Sequence, residues 1–288
     1  MRRHPFLFGI LLLLAIGFLS FIFIFGMAYW TGGSSLWSAG DRVGIVFVKG
    51  IITESKSTVE LLKKYGDDGH VRAVVVRIDS PGGGVAACQE IYDAVAAVKK
   101  KKKVVTSMGS VAASAGYYVA CASDKIVANP GSVTGSIGAL MHFSNLEELL
   151  KKIGLKSSVI KSGKFKDIGS PVREMTLEER QLIQGVIDDI YDQFLTTVSQ
   201  TRKIPKEKLR PIADGRIFTG RQAMKLGLVD ELGGMDHSID LAVNLAGIKG
   251  KPEVLYPKEK GLTLWKMIAD EMVSAFINRL KEETGGYR

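Results

Sequence analysis

The sequence predicts an α/β fold in which a mostly parallel β-sheet is covered by helices. Three short apolar runs, at residues 44–48, 71–78 and 104–108, are rich in β-branched residues and typical of strands buried on both faces. Segments with helical spacing of apolar residues lie between them, at about 58–65 and 85–100. Strands that alternate with helices indicate parallel pairing, because parallel strands need a crossover connection.

The N-terminal segment is predicted to be a membrane anchor. Phe6 to Ala28 is a run of 23 residues without a charge. As a helix it would be about 34 Å long, enough to cross a bilayer core of roughly 30 Å. Arg2 and Arg3 precede the run, so the positive-inside rule places the N-terminus in the cytoplasm and the body across the membrane. A cleaved secretory signal is the alternative, but its apolar core is shorter, about 7–15 residues.

The chain is accordingly divided into four parts. Residues 1–30 form the cytoplasmic tip and anchor, and 31–42 form a linker that is rich in Gly and Ser. The folded domain is predicted over 43–257. Residues 258–288 are predicted to be a C-terminal amphipathic helix that packs on the domain or on a neighbouring subunit, with contact to the membrane as the less favoured alternative.

The second half of the domain is predicted from weaker signals. Short strands are expected at 125–128 and 137–142. Three capping-box pairs predict helix starts, at Ser144 with Glu147, Thr176 with Glu179 and Thr219 with Gln222. The second of these helices has an apolar stripe that is expected to be buried, made of Ile183, Ile187, Ile190, Phe194 and Val198.

The composition excludes several classes of function. The formal net charge of +9 is modest, and no basic cluster with interleaved aromatics points to nucleic acid. Cys88 and Cys121 allow one disulfide at most. The four histidines are scattered without metal-ligand spacing, so neither a metal site nor a cofactor is expected.

Two strand ends carry residues that suggest chemistry. Residues 79–84 (DSPGGG) follow the second strand, and their N–H groups could face a negative oxygen. An oxyanion hole, a phosphate site and a plain turn all fit, although the P-loop pattern is absent. Residues 112–116 (AASAG) follow the third strand and place Ser114 at a strand-to-helix turn. This resembles a nucleophile elbow without GxSxG, but a serine among small residues is more often simply packed.

A nucleophilic serine would also need a base. None of the four histidines is well placed for this role. His4 lies on the cytoplasmic side of the anchor, and His70 precedes the second strand, at the end away from the glycines. His142 and His237 have no evident acidic partner. A Gly/Ser-rich loop at 160–171 holds three lysines, Lys161, Lys164 and Lys166. Spacing does not choose between them, and each is equally compatible with a solvated surface position.

Five motifs then follow one another in order along the chain. They are DSPGGG at 79–84, MGSVAASAGYY at 108–118, TGSIG at 134–138, KSGKFKD at 161–167, and DGR with GRQA within 214–223. Together they resemble the signal peptide peptidase A family, in its short bacterial form, within the Clp-peptidase/crotonase-like superfamily. The resemblance spans about residues 43–250 and implies a peptidase domain built from repeated ββα units.

The resemblance also implies a serine peptidase with a Ser/Lys dyad. Ser114 would be the nucleophile and Lys166 the general base, with Ser136 orienting the lysine. The oxyanion hole would be formed by Gly83 and the N–H of Ala115. The chain departs from the family in two places: it has Asp79 where Asn is common, and Ala115 where Gly is frequent.

A lysine can serve as a base only if it is neutral near the working pH. Its pKa must then fall from about 10.4 to about 7–8, which burial can produce. We therefore expect Lys166 to be buried in the formed site, against a neighbouring subunit or bound substrate. Asp167 would oppose this fall if it faced the amine, so it is expected to point away.

The function implied is a single-pass enzyme of the inner (plasma) membrane, whose catalytic domain is periplasmic. It would form a closed homo-oligomer and degrade extended hydrophobic peptides, the signal peptides left in the membrane. Three alternatives remain: a superfamily peptidase that cuts a membrane partner protein, as stomatin-operon peptidases do; an inactive scaffold; and a crotonase-like acyl-CoA enzyme. The last is disfavoured because acyl-CoA is cytoplasmic.

Overall fold

The computed structural model describes residues 13–23, 26 and 40–257 of the chain. Residues 13–23 are helical. Within the described ranges, none of the helices has the length and apolar character needed to span a bilayer. Much of the predicted anchor, most of the predicted linker and all of the predicted C-terminal helix lie outside these ranges.

The described domain is built on one eight-stranded sheet. Its strand order is β6-β5-β3-β2-β1-β8, and β4 pairs with both β3 and β7. All strand pairs are parallel except β5 with β6. The strands are β1 Arg42–Ile52, β2 Val71–Gly83, β3 Lys103–Ala113, β4 Lys125–Ala128, β5 Val133–Gly135, β6 Ile217–Thr219, β7 Glu231–Leu232 and β8 Glu253–Leu255.

Helices cover both faces of the sheet. They are α1 Lys56–Asp67, α2 Val85–Lys99, α3 Ala115–Ala120, α4 Glu147–Lys152, α5 Leu177–Arg202, α6 Lys206–Leu209, α7 Gly220–Lys225 and α8 Met235–Ala246, and a 3₁₀ turn at Arg210–Ile212 follows α6. Alternate residues of β2 face opposite layers. Val74 and Val76 join the larger core cluster, whereas Ala73 and Val75 join the smaller cluster under α8. The predicted α/β fold with a mostly parallel sheet is confirmed.

The third strand divides where it approaches the site. Residues 105–108 pair with β4, and residues 111–113 pair with β5. Asp79 lies at the division, where its carboxylate accepts a hydrogen bond from the N–H of Val111 at 3.1 Å. A Cβ on Gly109 would lie 2.7 Å from Cγ of Asp79, so only glycine allows this close approach. Asp79 therefore supports the turn of β3 that carries Ser114.

Two local predictions for the second half of the domain are wrong. Residues 137–142 form no strand; the strand lies earlier, at Val133–Gly135, because Gly135 and Ser136 have φ angles of 82° and 50° and turn the chain. Helix α4 begins after Leu146 without a side-chain cap, so Ser144 does not start it. The capping boxes at Thr176 and Thr219 are both confirmed.

Candidate active site

Ser114 lies on a strained turn between β3 and α3. Its backbone has φ 52° and ψ −126°, a conformation that is uncommon for a residue with a side chain and costs about 1–3 kcal/mol. The turn is held on both sides: Ser114 N–H donates to Gly135 O at 2.9 Å, and Tyr118 N–H donates to Ser114 O at 3.0 Å. The side chain is half-buried. A strained serine with a partly accessible hydroxyl is typical of a functional position.

The glycine segment after β2 packs directly against this serine. Gly82 has φ 114°, and a Cβ placed on it would lie 3.0 Å from Ser114 Cβ and 3.1 Å from Ala115 N. Its N–H donates to Ser80 Oγ at 3.1 Å. A Cβ on Gly83 would lie 2.1 Å from Ile52 O, so that glycine is required by its contact with β1. Sequence reasoning singled out Gly83 and missed the contact that Gly82 makes with the nucleophile.

A cleft of about 680 Å³ opens beside Ser114. Four of the predicted site residues line it: Gly83, Ser114, Ala115 and Ser136. Ser136 has φ 50°, and its N–H donates to Arg216 O at 2.8 Å. The structure thus brings together the predicted nucleophile, the predicted oxyanion residues and the predicted orienting serine.

The rest of the cleft lining is largely apolar. It includes residues of α3, α5 and the segment after Ser136, among them Tyr118, Leu140, Met141, Ile187, Ile190 and Phe194. The stripe predicted on α5 is therefore fully buried only toward its C-terminal end, at Phe194 and Val198, because Ile187 and Ile190 face the cleft. Such a lining suits aliphatic and aromatic side chains of a ligand.

Lys166 lies outside this cleft. Its side chain is exposed on a loop of successive turns, and its N–H donates to Gly163 O at 3.2 Å. The other two lysines of the loop are committed to carboxylates: Lys161 pairs with Asp167 at 2.5 Å, and Lys164 pairs with Glu178. Among the described residues Lys166 is the one lysine of this loop without an ion pair. In this single chain Lys166 is therefore neither buried, as was expected of the formed site, nor part of the cleft beside Ser114.

The carboxylate of Asp167 is bound by Arg173 and Lys161 rather than by its chain neighbour Lys166. Its carboxylate accepts hydrogen bonds from Arg173 Nε at 2.9 Å, Arg173 Nη2 at 2.9 Å and Lys161 Nζ at 2.5 Å. The Arg173 guanidinium, followed by the Lys161 amine, holds the pKa of this carboxyl well below its usual range. These contacts agree with the expectation that Asp167 points away from Lys166.

The other candidate groups do not form a site in the described part of the chain. None of His70, His142 and His237 lines the cleft, and His237 pairs with Glu231 at 2.9 Å. No cluster of His, Cys, Asp and Glu suited to a metal occurs among the described residues. Cys88 and Cys121 are free thiols, and burial raises the pKa of each to about 11. His4 lies outside the described residues.

Comparison with known proteins places this chain in a class. A sequence model of Clp proteases matches residues 36–133, the part that carries the glycine segment and Ser114. The described domain has the α/β fold of that class. A sequence model of peptidase family S49 matches residues 96–249, so the chain belongs to that family and is a serine peptidase.

Individual relatives agree with this assignment. The chain is 44% identical to slr0021 of Synechocystis sp., a protein with a provisional protease name, over 73% of this chain and 76% of that protein. It is 33% identical to protease 4 of Salmonella typhi, over 84% of this chain and 40% of that protein. It is 31% identical to the chloroplastic serine protease SPPA of Arabidopsis thaliana, over 77% of this chain and 35% of that protein.

Proposed function

We propose that the protein is a membrane-anchored serine endopeptidase that cleaves extended apolar peptides, remnant signal peptides above all. The observation that carries the proposal is the strained Ser114 beside an apolar cleft that also contains Gly83, Ala115 and Ser136. A relative from Enterococcus faecium, 38% identical over 62% of this chain, bears the provisional name signal peptide peptidase SppA, which supports the substrate class.

The proposed chemistry is acyl transfer through Ser114. Its Oγ attacks the scissile carbonyl while the neutral amine of Lys166 takes the hydroxyl proton. The N–H groups of Gly83 and Ala115 donate to the oxyanion that forms. Lys166 then returns the proton to the leaving amine, and a water activated by the same lysine hydrolyses the acyl-enzyme. Ser136 orients the lysine in this scheme.

Labelling with a fluorophosphonate probe tests the assignment of the nucleophile. We expect the probe to modify the full-length chain and the Ser110→Ala variant, but not Ser114→Ala. Ser110 is a matched control because it lies on the same segment and is more exposed than Ser114, but it has no positive φ. Labelling of Ser114→Ala to the wild-type extent would remove Ser114 as the nucleophile, and an unlabelled wild type would favour the inactive scaffold.

We also propose that the enzyme is a homo-oligomer in which a second copy covers the region around Lys166. The segment 140–160 exposes large apolar side chains: Leu140 is 83% exposed and Ile160 is 100% exposed. Others nearby are Leu149, Ile153, Leu155 and Val159. A surface of this character is expected to be covered in the working protein, and covering it would help to desolvate the lysine.

The proposed homo-oligomer can be detected by its sedimentation. Sedimentation of a chain that lacks residues 1–30 should show a multimer. Ile160→Asp should dissociate it and reduce activity, because it places a charge on the covered surface. Lys156→Asp changes an exposed polar position in the same segment. This variant is the control and should leave the assembly intact. A monomer with full activity would contradict the proposal.

The proposed topology places the catalytic domain outside the cytoplasm. Its support is the uncharged run from Phe6 to Ala28 that follows Arg2 and Arg3. A C-terminal alkaline phosphatase fusion should be active, and a reporter that works only in the cytoplasm should be silent. The opposite pattern would overturn this topology.

A further inference from the structure

Arg173 joins two carboxylates that belong to different parts of the candidate site. Its Nε and Nη2 donate to both oxygens of Asp167 at 2.9 Å. Its Nη1 and Nη2 also donate to the two oxygens of Glu179, at 2.9 and 2.5 Å. The guanidinium therefore makes a bidentate contact on each side, which is a geometry that its planar fork allows and a lysine ammonium does not.

One end of this bridge is the loop that carries the proposed base. Asp167 is next to Lys166 in the chain, and its side chain is only 13% exposed. Arg173 Nη2 lies 3.3 Å from the backbone oxygen of Asp167 as well, so both the side chain and the main chain are held. Because Lys166 and Asp167 are joined by a peptide bond, fixing Asp167 also restricts the position of the Lys166 backbone, from which the lysine side chain extends.

The other end is the first turn of α5. Glu179 is 3% exposed and completes the capping box, in which its Oε2 accepts from Thr176 N–H at 2.9 Å. Hydrogen bonds from Arg173 and then from Thr176 lower the pKa of Glu179 to about 2, so it stays ionised at any working pH. Helix α5 also supplies Ile187, Ile190 and Phe194 to the cleft. The bridge thus ties the lysine loop to the helix that forms the cleft wall.

We propose that Arg173 is a positioning residue for catalysis, which holds the Lys166 loop at a fixed place relative to α5 and so to Ser114. The inference rests on the proposed function, in which Lys166 is the base. The loop's other contacts are single ones: Leu146 N–H donates to Pro171 O at 2.7 Å, the Phe143 ring packs on Gly169, and the exposed amine of Lys164 pairs with Glu178 of α5. A double bidentate contact restricts orientation more strongly than these do.

Steady-state kinetics of the full-length chain on an apolar peptide tests the proposal. Arg173→Ala should lower kcat by about 10²-fold, the cost of misplacing a catalytic group by about 1 Å, with KM changed little. Arg173→Lys should not restore kcat, because a single ammonium cannot engage both carboxylates in the same way. Arg180→Ala is the matched control: Arg180 is exposed, lies on the first turns of the same helix and makes no ion pair with the described residues.

The outcomes separate this proposal from the proposed function. If Lys166→Ala is inactive but Arg173→Ala behaves like Arg180→Ala, the positioning role is overturned and the dyad stands. If Lys166→Ala remains active, Lys166 is not the base, and both the proposed dyad and the positioning role that depends on it are overturned. Full activity in Arg173→Lys, or a rise in KM that accounts for the whole loss, would also overturn the positioning role. Should Arg173→Ala fail to fold, Asp167→Asn keeps the side-chain shape and should still lower kcat at unchanged KM; wild-type kcat in that variant would refute the proposal.

Discussion

Replacing Lys166 by alanine is expected to lower kcat/KM by about 10³-fold or more while the fold is kept. A positioned general base contributes about 10²–10⁴-fold, and no other group is expected to take the Ser114 proton. The lysine is exposed and makes no ion pair with the described residues, so its removal breaks no ion pair of the described domain. Peptide hydrolysis by the purified variant, with circular dichroism to check the fold, provides the measurement.

The other lysines of the loop are the controls for this variant. Lys164→Ala removes an exposed pair with Glu178 and the contact of its amine with the Phe165 ring at 5.4 Å, and it should change kcat/KM by less than about threefold. Lys161→Ala should cost more than Lys164→Ala, because Lys161 is a partner of Asp167. Ser136→Ala should be milder than Lys166→Ala, since it misorients the base without removing it. Near wild-type kcat/KM in Lys166→Ala would contradict the role of Lys166 as the base. A loss of kcat/KM confined to a histidine variant would instead favour a histidine-based triad.

Gly82→Ala is expected to lower kcat by about 10²-fold or more, the second large effect. Its φ of 114° is unfavourable for alanine, and the new Cβ would lie 3.0 Å from Ser114 Cβ and 3.3 Å from Ser114 Oγ. The nucleophile would have to move or the glycine segment would have to shift. The rate of fluorophosphonate labelling and kcat for a peptide measure this directly.

Gly84→Ala is the matched control for Gly82→Ala. Gly84 stands two positions away with an ordinary φ of −64°, and the nearest atom to its Cβ would be Ile52 O at 3.7 Å. We expect its activity to stay within about threefold of wild type. Equal loss in the two variants would show that the segment as a whole matters, and no loss in Gly82→Ala would remove the inferred contact with Ser114.

The parts of the fold that were predictable depend on local signals. The apolar runs in β1, β2 and β3 predicted strands buried on both faces, because that pattern reflects the two layers that cover the sheet. The capping boxes at Thr176 and Thr219 were predictable because both of their hydrogen bonds lie within a single helical turn. The strand at 137–142 was mispredicted, since an apolar run alone does not reveal that Ser136 turns the chain.

The site was predictable only in part, for a related reason. Three consecutive glycines indicated a close backbone approach, but which of them meets Ser114 depends on how β2 and β3 are placed side by side. Spacing left three lysines open; in the structure carboxylates hold Lys161 and Lys164, whereas Lys166 is exposed and lies outside the cleft. The role of Arg173 was invisible in the sequence, because its partners lie six residues away on either side and meet only when the loop folds.

Chemical rescue at position 166 tests the dyad most directly. In Lys166→Cys, alkylation with 2-bromoethylamine would rebuild an amine of nearly the original length. The reaction should be selective, since Cys88 and Cys121 are the other cysteines in the chain and both are buried, with the pKa of each raised to about 11. We expect Lys166→Cys to be inactive, alkylation to restore a substantial part of kcat, and a Lys164→Cys control to be active before and after treatment. A fully alkylated, folded Lys166→Cys enzyme that stays inactive, or a Lys166→Cys enzyme that is active before treatment, would contradict the assignment of Lys166 as the base for Ser114.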